Sequence, residues 1–355
     1  MEAEKRMELV DILKMIAPGT QIREGLDNIL KAKTGALIVI GDGKEVMSIV
    51  DGGFNINVDY TPARLYELAK MDGAIILSQD LKKILFANAQ LIPNFSISTS
   101  ETGTRHRTAE RVAKQTGRIV ISISQRRGII TIYVGDFRYV LEDTAKVASK
   151  ASQALQTVEK YRKVFDNKIS TLTEYEFNDI TTLNMVIGSI QRIEMLMKIV
   201  DEVQKSIYEL GTEGRLLKMQ LDELTDGVEL EERLIIKDYI NLKNEDEAFK
   251  QIQNLPHEEL MKEQIIANIL GIKQTENFDE ETVYTRGYRI LNKVPRMPAN
   301  IVENLVKKFK SFQKLLSANT QELDEVDGIG EVRAKTIVQS LKRMQEQFMF
   351  DNMIV

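Results

Sequence analysis

The sequence predicts a multidomain chain: an α/β or α+β layer domain first, an α-helical spine in the middle, and an all-α domain last. Three observations predict it. Strand-like apolar runs alternate with helical patterns only up to about residue 143. Beyond that point apolar residues recur at helical spacing alone. The charge is partitioned in the same way. The 355 residues carry a formal net charge of -5, but residues 1–150 hold +3, residues 151–285 hold -12 and residues 286–355 hold +4. The whole-chain acidity therefore says little about either end. The expected divisions are residues 1–145, 146–285 and 286–355.

The elements follow in order. Gly35 to Ile40 is a buried strand closed by Gly41-Asp42-Gly43. Thr61-Pro62 supplies an N-cap and a proline at the first helical position, with Leu65, Leu68 and Ala69 on one face of the helix that follows. Gly73 to Ser78 is a second buried strand. Thr104 to Gln115 is helical and is stopped by Gly117. Arg118 to Ser124 and Ile129 to Val134 are strands joined by Gln125-Arg126-Arg127-Gly128, a hairpin spacing. Strands and helices at this density imply a layered domain. Leu155, Val158, Tyr161 and Phe165 then begin a helical pattern, which continues through Met185, Ile190, Ile193, Leu196, Met197, Val200 and Val203. This is a helical spacer or bundle. Its acidic surface is most simply a solvated face, and packing against a neighbouring subunit is the sharper alternative. The junction with the last domain is expected within 280–295.

Composition excludes several chemistries. With no cysteine there is no thiol nucleophile, disulfide framework or Cys-ligated zinc or iron-sulfur site. Two histidines, His106 and His257, cannot build a multi-His metal site. Any catalytic metal must lean on carboxylates, which favours Mg²⁺ or Mn²⁺. No apolar run approaches the roughly 20 residues of a membrane span. Residues 1–16 are charged and lack the apolar core of a secretion signal. A soluble, cytoplasmic protein is expected, with no membrane partner.

Two N-terminal clusters carry candidate chemistry. Met71-Asp72-Gly73-Ala74 lies between a helix and a buried strand. There an Asp can hold a divalent ion or orient a hydroxyl, and Gly73 permits close backbone approach. Alone, it also reads as a helix-stop turn. The second cluster is Glu101-Thr102-Gly103-Thr104-Arg105-His106-Arg107-Thr108-Ala109-Glu110-Arg111. Free amides at a helix start favour anions, and arginine adds bidentate phosphate contacts. Basic residues at that end oppose the macrodipole, so they need another reason to be there. A bound polyphosphate supplies one. On a helix Arg105 and Arg107 diverge by about 200°. Either the helix begins after Arg107 or the two arginines serve different groups. The chain has neither a Gly-x-x-x-x-Gly-Lys-Ser/Thr loop nor a Gly-x-Gly-x-x-Gly turn.

Asp72-Gly73-Ala74 with Arg105-His106-Arg107, together with the strings from Leu65 to Ala74 and from Arg105 to Arg111, closely resembles the diadenylate cyclase family. The resemblance implies an α/β nucleotide-binding cyclase domain with a central mixed sheet. It implies condensation of two ATP into cyclic di-AMP with release of two pyrophosphates, on two domains facing each other. In that family pattern Asp72 binds the metal near the attacking 3′-hydroxyl, and Gly73 and Ala74 contact the nucleotide. Thr104, Arg105, His106, Arg107 and Thr108 hold the triphosphate, and Leu91 lines the adenine pocket. Ser124 and Arg127 are candidates for phosphate contact across the dimer, with Arg126 as the alternative to Arg127.

Leu323 to Ile337 reads as a short helix, a Gly328-Ile329-Gly330 turn and a second helix, and it resembles a helix-hairpin-helix motif. Backbone amides at such a turn can bind a DNA phosphate without reading bases. Ile329 anchors the turn in the core, and Ala334 lets the helices approach. Candidate contacts are Gly328, Gly330, Arg333, Lys335, Arg296, Lys342 and Arg343. Val294 to Glu303 looks like a degenerate first copy. Glu322, Asp324, Glu325 and Asp327 lower the local field, so modest, salt-sensitive binding of branched DNA by shape is expected. The family members with this layout are octamers, cyclase domains at the centre, whose synthesis is damped by DNA junctions. A nucleoid-associated location follows. The rival reading is a non-enzymatic, ATP-sensing DNA scaffold.

Overall fold

The computed structural model describes residues 2–242, 244–272 and 277–351. The N-terminal part runs α1 (Glu2–Ile16), α2 (Gln21–Lys31), β1 (Ala36–Ile40), α3 (Lys44–Met47), β2 (Val50–Asp51), β3 (Phe54–Asp59), α4 (Pro62–Leu68), β4 (Ala74–Leu77), β5 (Lys83–Leu91), α5 (Thr104–Thr116), β6 (Ile119–Ser124), β7 (Ile129–Val134) and β8 (Phe137–Val140). The sheet has the order β2-β5-β4-β1-β6-β7-β8, with β3 also paired to β5. It is mixed: β1 pairs parallel with β4 and antiparallel with β6.

Both faces of this sheet are covered, which is why the central strands β1 and β4 read as unbroken apolar runs. Ile38 and Ile40 point toward α2 and α4, packing with Ile22, Leu26 and Leu65. Leu37 and Val39 point the other way, against Ala109, Val112 and Ala113 of α5. Each helix is set by a local signal. The Thr61 side chain caps α4 by accepting from the Arg64 amide at 3.1 Å. Gly117 ends α5 in the left-handed region, at φ +66°.

The remaining helices are α6 (Thr144–Phe177), α7 (Leu183–Leu210), α8 (Arg215–Thr225), α9 (Val228–Tyr239), α10 (Glu245–Gln253), α11 (His257–Leu260), α12 (Glu263–Ile269), α13 (Tyr288–Asn292), α14 (Ala299–Phe309), α15 (Phe312–Leu316), α16 (Thr320–Asp324) and α17 (Glu331–Asp351). The chain forms two compact units, Met1–Ser152 with Gln204–Lys218, and Gln153–Val203 with Met219–Val355.

In the first unit the end of α7 is fastened to the sheet domain. Tyr139 donates its hydroxyl proton to Glu209 at 2.7 Å, and Leu210 is buried with Val147 and Ala151. In the second unit the C-terminal helices share a core that includes Phe177, Ile290, Leu305, Phe312, Ile329 and Ile337. Arg289 of α13 is fully buried and bonds to Glu176 of α6 and, at 2.8 Å, to Glu231 of α9. Asp238 accepts from the Tyr288 and Arg289 amides at 2.7 and 3.0 Å, satisfying the start of α13. Removing one partner of such a buried pair strands the other charge, at a cost of about 3–5 kcal/mol. Within this unit, α13 is therefore tied to the last turn of α6 and to both ends of α9.

Candidate active site

Asp72 and Gly73 lie in the turn between α4 and β4. Gly73 has φ +91°, and a Cβ there would lie 2.8 Å from the Asn88 carbonyl carbon and 2.9 Å from the Ala89 oxygen. Both facts demand glycine. The close approach this glycine allows is to the backbone of β5. Asp72 is exposed beside it. Ala74 is fully buried at the start of β4.

Helix α5 begins at Thr104, so the arginine question of the sequence is answered by a helix that contains both. Gly103 is its N-cap, has no side chain to cap the free amides, and accepts the Arg107 amide at 2.9 Å. The first turn contains no acidic residue. This leaves unpaired N–H groups and the positive end of the macrodipole facing outward among basic side chains. The arginines diverge as helical geometry requires. Arg107 is exposed, while Arg105 is half-buried and reaches back to β1. A Cβ built on Gly35 would lie 1.9 Å from Nη1 of Arg105. Gly35 thus seats the Arg105 guanidinium, a role with no signal of its own in the sequence. Thr104 is exposed and Thr108 half-buried.

The loop before α5 is tied down by Glu110. This buried carboxylate accepts from the Thr99 hydroxyl at 2.5 Å, the Ser100 amide at 3.1 Å and the Lys114 ammonium at 2.8 Å. Burial alone would raise its pKa, but the bonds from Lys114 and Thr99 outweigh that and hold it below the usual carboxylate range.

His106 is held from the sheet side. Its Nδ1 lies 3.0 Å from the Tyr133 hydroxyl, which donates to Glu101 Oε1 at 2.8 Å. Arg138 donates its Nε–H to the same oxygen at 2.6 Å. The other ring nitrogen, Nε2, is buried with no hydrogen-bond partner. Burial lowers the His106 pKa. Glu101 opposes this, and the charges of Arg127, Arg138 and Arg105 add to the lowering.

On the hairpin turn, Ser124 accepts the Arg127 amide at 3.3 Å. Arg126 and Arg127 are both exposed, and it is the charge of Arg127 that His106 feels. Leu91 closes β5 and is buried in the core beneath α5.

Asp72 has no described hydrogen-bond or ion-pair partner, so its carboxylate is free to take a cation. Among the described residues no group of three or more His, Asp or Glu could hold a metal. A hard divalent ion at Asp72 would therefore draw its other oxygen ligands from phosphates and water, which suits Mg²⁺ or Mn²⁺. The described cavities lie elsewhere. The largest, about 740 Å³, is lined by Arg23, Asp27, Lys31, Glu142 and Lys146 among others. Asp72, Gly103 and Thr104 lie outside it and are exposed, while Arg105 and His106 are half-buried.

At the C-terminal hairpin, Gly328 has φ +81° and Ile329 is 6% exposed in the core. Gly330 accepts the Ala334 amide at 3.0 Å and so opens α17, and Ala334 is fully buried. Arg333 donates to the Gly328 carbonyl. Lys335 pairs with Glu331 at 2.5 Å. Arg296, Lys342 and Arg343 are exposed. The segment expected to be a first copy is also helix, turn and helix, formed by α13 and α14.

Three family models match: DisA bacterial checkpoint controller nucleotide-binding over residues 23–137, DisA bacterial checkpoint controller linker region over 141–278, and helix-hairpin-helix motif over 298–349. The chain is 54% identical over 355 residues to the DNA integrity scanning protein DisA of Acetivibrio thermocellus, covering 99% of this chain and 98% of that one. It is 55% identical over 357 residues to that of Clostridium botulinum strain Eklund 17B, covering all of both. Among solved structures, DacA from Staphylococcus aureus matches 39% of this chain and 90% of its own at 20% identity, with a TM-score of 0.30. A hypothetical membrane spanning protein from Bacillus cereus matches 35% of this chain and 62% of its own at 21% identity, with a TM-score of 0.32.

Proposed function

The chain belongs to the DisA family of bacterial checkpoint controllers, and from that premise we propose how its two phosphate-facing ends work. It is a DNA integrity scanning diadenylate cyclase. We propose that it joins two ATP into cyclic di-AMP. The 3′-hydroxyl of each nucleotide attacks the α-phosphate of the other, so two P–O bonds form, two α–β phosphoanhydride bonds break, and two pyrophosphates and two protons leave. The observation that carries this reading is the start of α5. It is an uncapped, acid-free helix N-terminus bearing Arg105, His106 and Arg107.

Arg105, Arg107 and the amides of Thr104 and Arg105 neutralise the triphosphate, which is the main work as pyrophosphate departs. Thr104 and Thr108 add hydroxyl contacts. Gly73 and Ala74 place Asp72 at the nucleotide, and Leu91 lies toward the adenine. A carboxylate is far too weak a base to deprotonate an alcohol by itself. Asp72 serves instead as the anchor of the divalent cation. That ion, when bound, supplies charge neutralisation and acidifies the 3′-hydroxyl. The exposed Asp72, Thr104, Arg107 and Arg127 support a half-site closed by a second copy bringing its own ATP, with Ser124 and Arg127 reaching across. Proximity then supplies much of the rate. An octamer satisfies this pairing.

The division into residues 1–145, 146–285 and 286–355 follows the same logic of cyclase, spine and DNA-binding domain. The hairpin at Gly328-Ile329-Gly330, with Arg333 and Lys335, binds branched DNA by shape and thereby damps synthesis. No described helix is long and apolar enough to cross a membrane, and a nucleoid-associated, cytoplasmic location fits the DNA role. Incubation with ATP and Mg²⁺ or Mn²⁺, with products resolved by mass spectrometry, is expected to give cyclic di-AMP and pyrophosphate. An ATP pool that is bound but unchanged would favour the scaffold reading. Synthesis should fall as a four-way junction is added, and equal affinity for junction and linear duplex at moderate salt would refute recognition by shape.

A further inference from the structure

The two nitrogens of His106 are unequal, and their surroundings decide which carries the proton. Glu101 is the origin of the asymmetry. Its side chain is 9% exposed, and one oxygen takes two donors, Tyr133 Oη–H and Arg138 Nε–H. Burial would raise its pKa, but the bonds from Arg138 and Tyr133 prevail and keep it ionised. An ionised carboxylate can only accept. The single Tyr133 proton therefore lies on Glu101, and the Tyr133 oxygen is left as an acceptor toward His106. At 3.0 Å, Nδ1 must be the donor of that bond. Tyr133 cannot turn away. It is 1% exposed in β7, between Val120 of β6 and Arg138 of β8.

We propose that Tyr133 is a positioning residue of the cyclase site: anchored by Glu101 and Arg138, it fixes His106 in the Nδ1–H tautomer and leaves Nε2 as a bare lone pair. The proposal rests on the cyclase reading above and deepens it. The buried, unpartnered Nε2 is the atom this arrangement presents. A second proton there would be a buried N–H without an acceptor, which is costly. Phosphate oxygens are acceptors at neutral pH, so a bare Nε2 makes no bond to the triphosphate. Its partner must be a donor or a cation. Ground-state triphosphate binding then falls to Arg105, Arg107 and the α5 amides, and His106 acts in the reaction step. None of Glu101, Tyr133 and Arg138 touches the nucleotide in this scheme. They act through His106, as partners behind a ligating histidine do.

The test uses the full-length protein labelled with ¹⁵N-histidine and sedimented for solid-state NMR. The chain has only two histidines, and a His106→Gln sample assigns the signals. Wild type should show a protonated Nδ1 and a bare Nε2 at His106. Tyr133→Phe removes the acceptor and should move the proton wholly or partly to Nε2. Glu101→Met removes the acceptor, so the Tyr133 proton should turn to Nδ1 and the histidine proton should move to Nε2. Both variants should lose about 10- to 100-fold in kcat, with ATP affinity by calorimetry within about twofold of wild type. A protonated Nε2 in wild type would overturn the proposal. So would a wild-type kcat in both variants, or a parallel fall of kcat and ATP affinity. If Tyr133→Phe fails to assemble, Glu101→Met, of similar length, tests the same tautomer by the same spectrum and the same kcat. A wild-type protein that makes no cyclic di-AMP would instead defeat the cyclase reading, and the NMR spectrum would still report the tautomer.

Discussion

Helices α5 and α17 each open at a glycine and each is proposed to meet a phosphate, yet their first turns are prepared differently. The first turn of α5 has no acid, its amides have no side-chain cap, and its arginines have no carboxylate partner among the described ion pairs. The first turn of α17 carries Glu331, which takes the charge of Lys335, and Arg333 folds onto the Gly328 carbonyl. An anion arriving at α5 therefore meets free donors. A DNA phosphate arriving at α17 must compete for donors already in use and face a like charge. The pair teaches that a helix start becomes a strong anion site only when its own chain does not satisfy it first. In the proposed scheme, tight substrate binding at one end and weaker, shape-dependent sampling at the other suit a synthase that scans DNA.

The comparison can be broken or sharpened at several points. The largest effect should come from Asp72→Asn. Cyclic di-AMP formation should fall by about 10³-fold or more, on the scale of lost transition-state charge stabilisation, while light scattering shows unchanged assembly. Chelation of divalent metal should do the same reversibly. Wild-type turnover in the variant would remove Asp72 from the site. Next, Arg105→Ala combined with Arg107→Ala should weaken ATP binding at least about 10-fold, since hydrogen bonds to charged groups contribute about 1.5–3 kcal/mol each. Unchanged affinity by calorimetry would contradict the phosphate role of α5.

Gly35→Ala is subtler. The new methyl group must push the Arg105 guanidinium from its seat. ATP affinity should drop several-fold while the thermal midpoint hardly moves, because a flexible side chain yields at little cost. Equal affinity would mean that Arg105 works from elsewhere. The smallest effect belongs to α17. Glu331→Gln frees Lys335 and removes an opposing charge, so junction affinity should rise by a factor of about 2–5, in line with about 0.3–1 kcal/mol for a charge at a helix end. ATP turnover without DNA should not change. A fall in DNA affinity would show that the Glu331–Lys335 pair orders the hairpin.

Much of this was legible in the sequence, for identifiable reasons. β1 and β4 are buried on both faces and are contiguous apolar runs, and β6 and β7 are buried, mostly apolar runs that admit Ser122 and Thr131. β3 and β5 were not legible. β3 is largely exposed, and the alternation of β5 is interrupted at Asn88, which takes φ +53° where the strand is irregular against β4. The start of α5 was readable because glycine, threonine and arginine cluster within a few residues. The chain behind His106 was not, because Glu101, Tyr133 and Arg138 are brought together by sheet register and are separated by up to 37 residues. The seat that Gly35 makes for Arg105 was hidden for the same reason. The buried Arg289 network was equally silent. Its carboxylates on α6 and α9 look, one residue at a time, like any other acid on a solvated helix.

The central claim is that two ATP bound at the starts of two α5 helices are joined to each other. The most direct measurement is to supply equal amounts of unlabelled and uniformly ¹⁵N-labelled ATP with Mn²⁺ and to weigh the product. The claim predicts cyclic di-AMP as light, mixed and heavy species in a ratio of about 1:2:1, with two pyrophosphates per product, all absent in Asp72→Asn. Recovery of ADP and phosphate, or of a product containing a single adenosine, would contradict it.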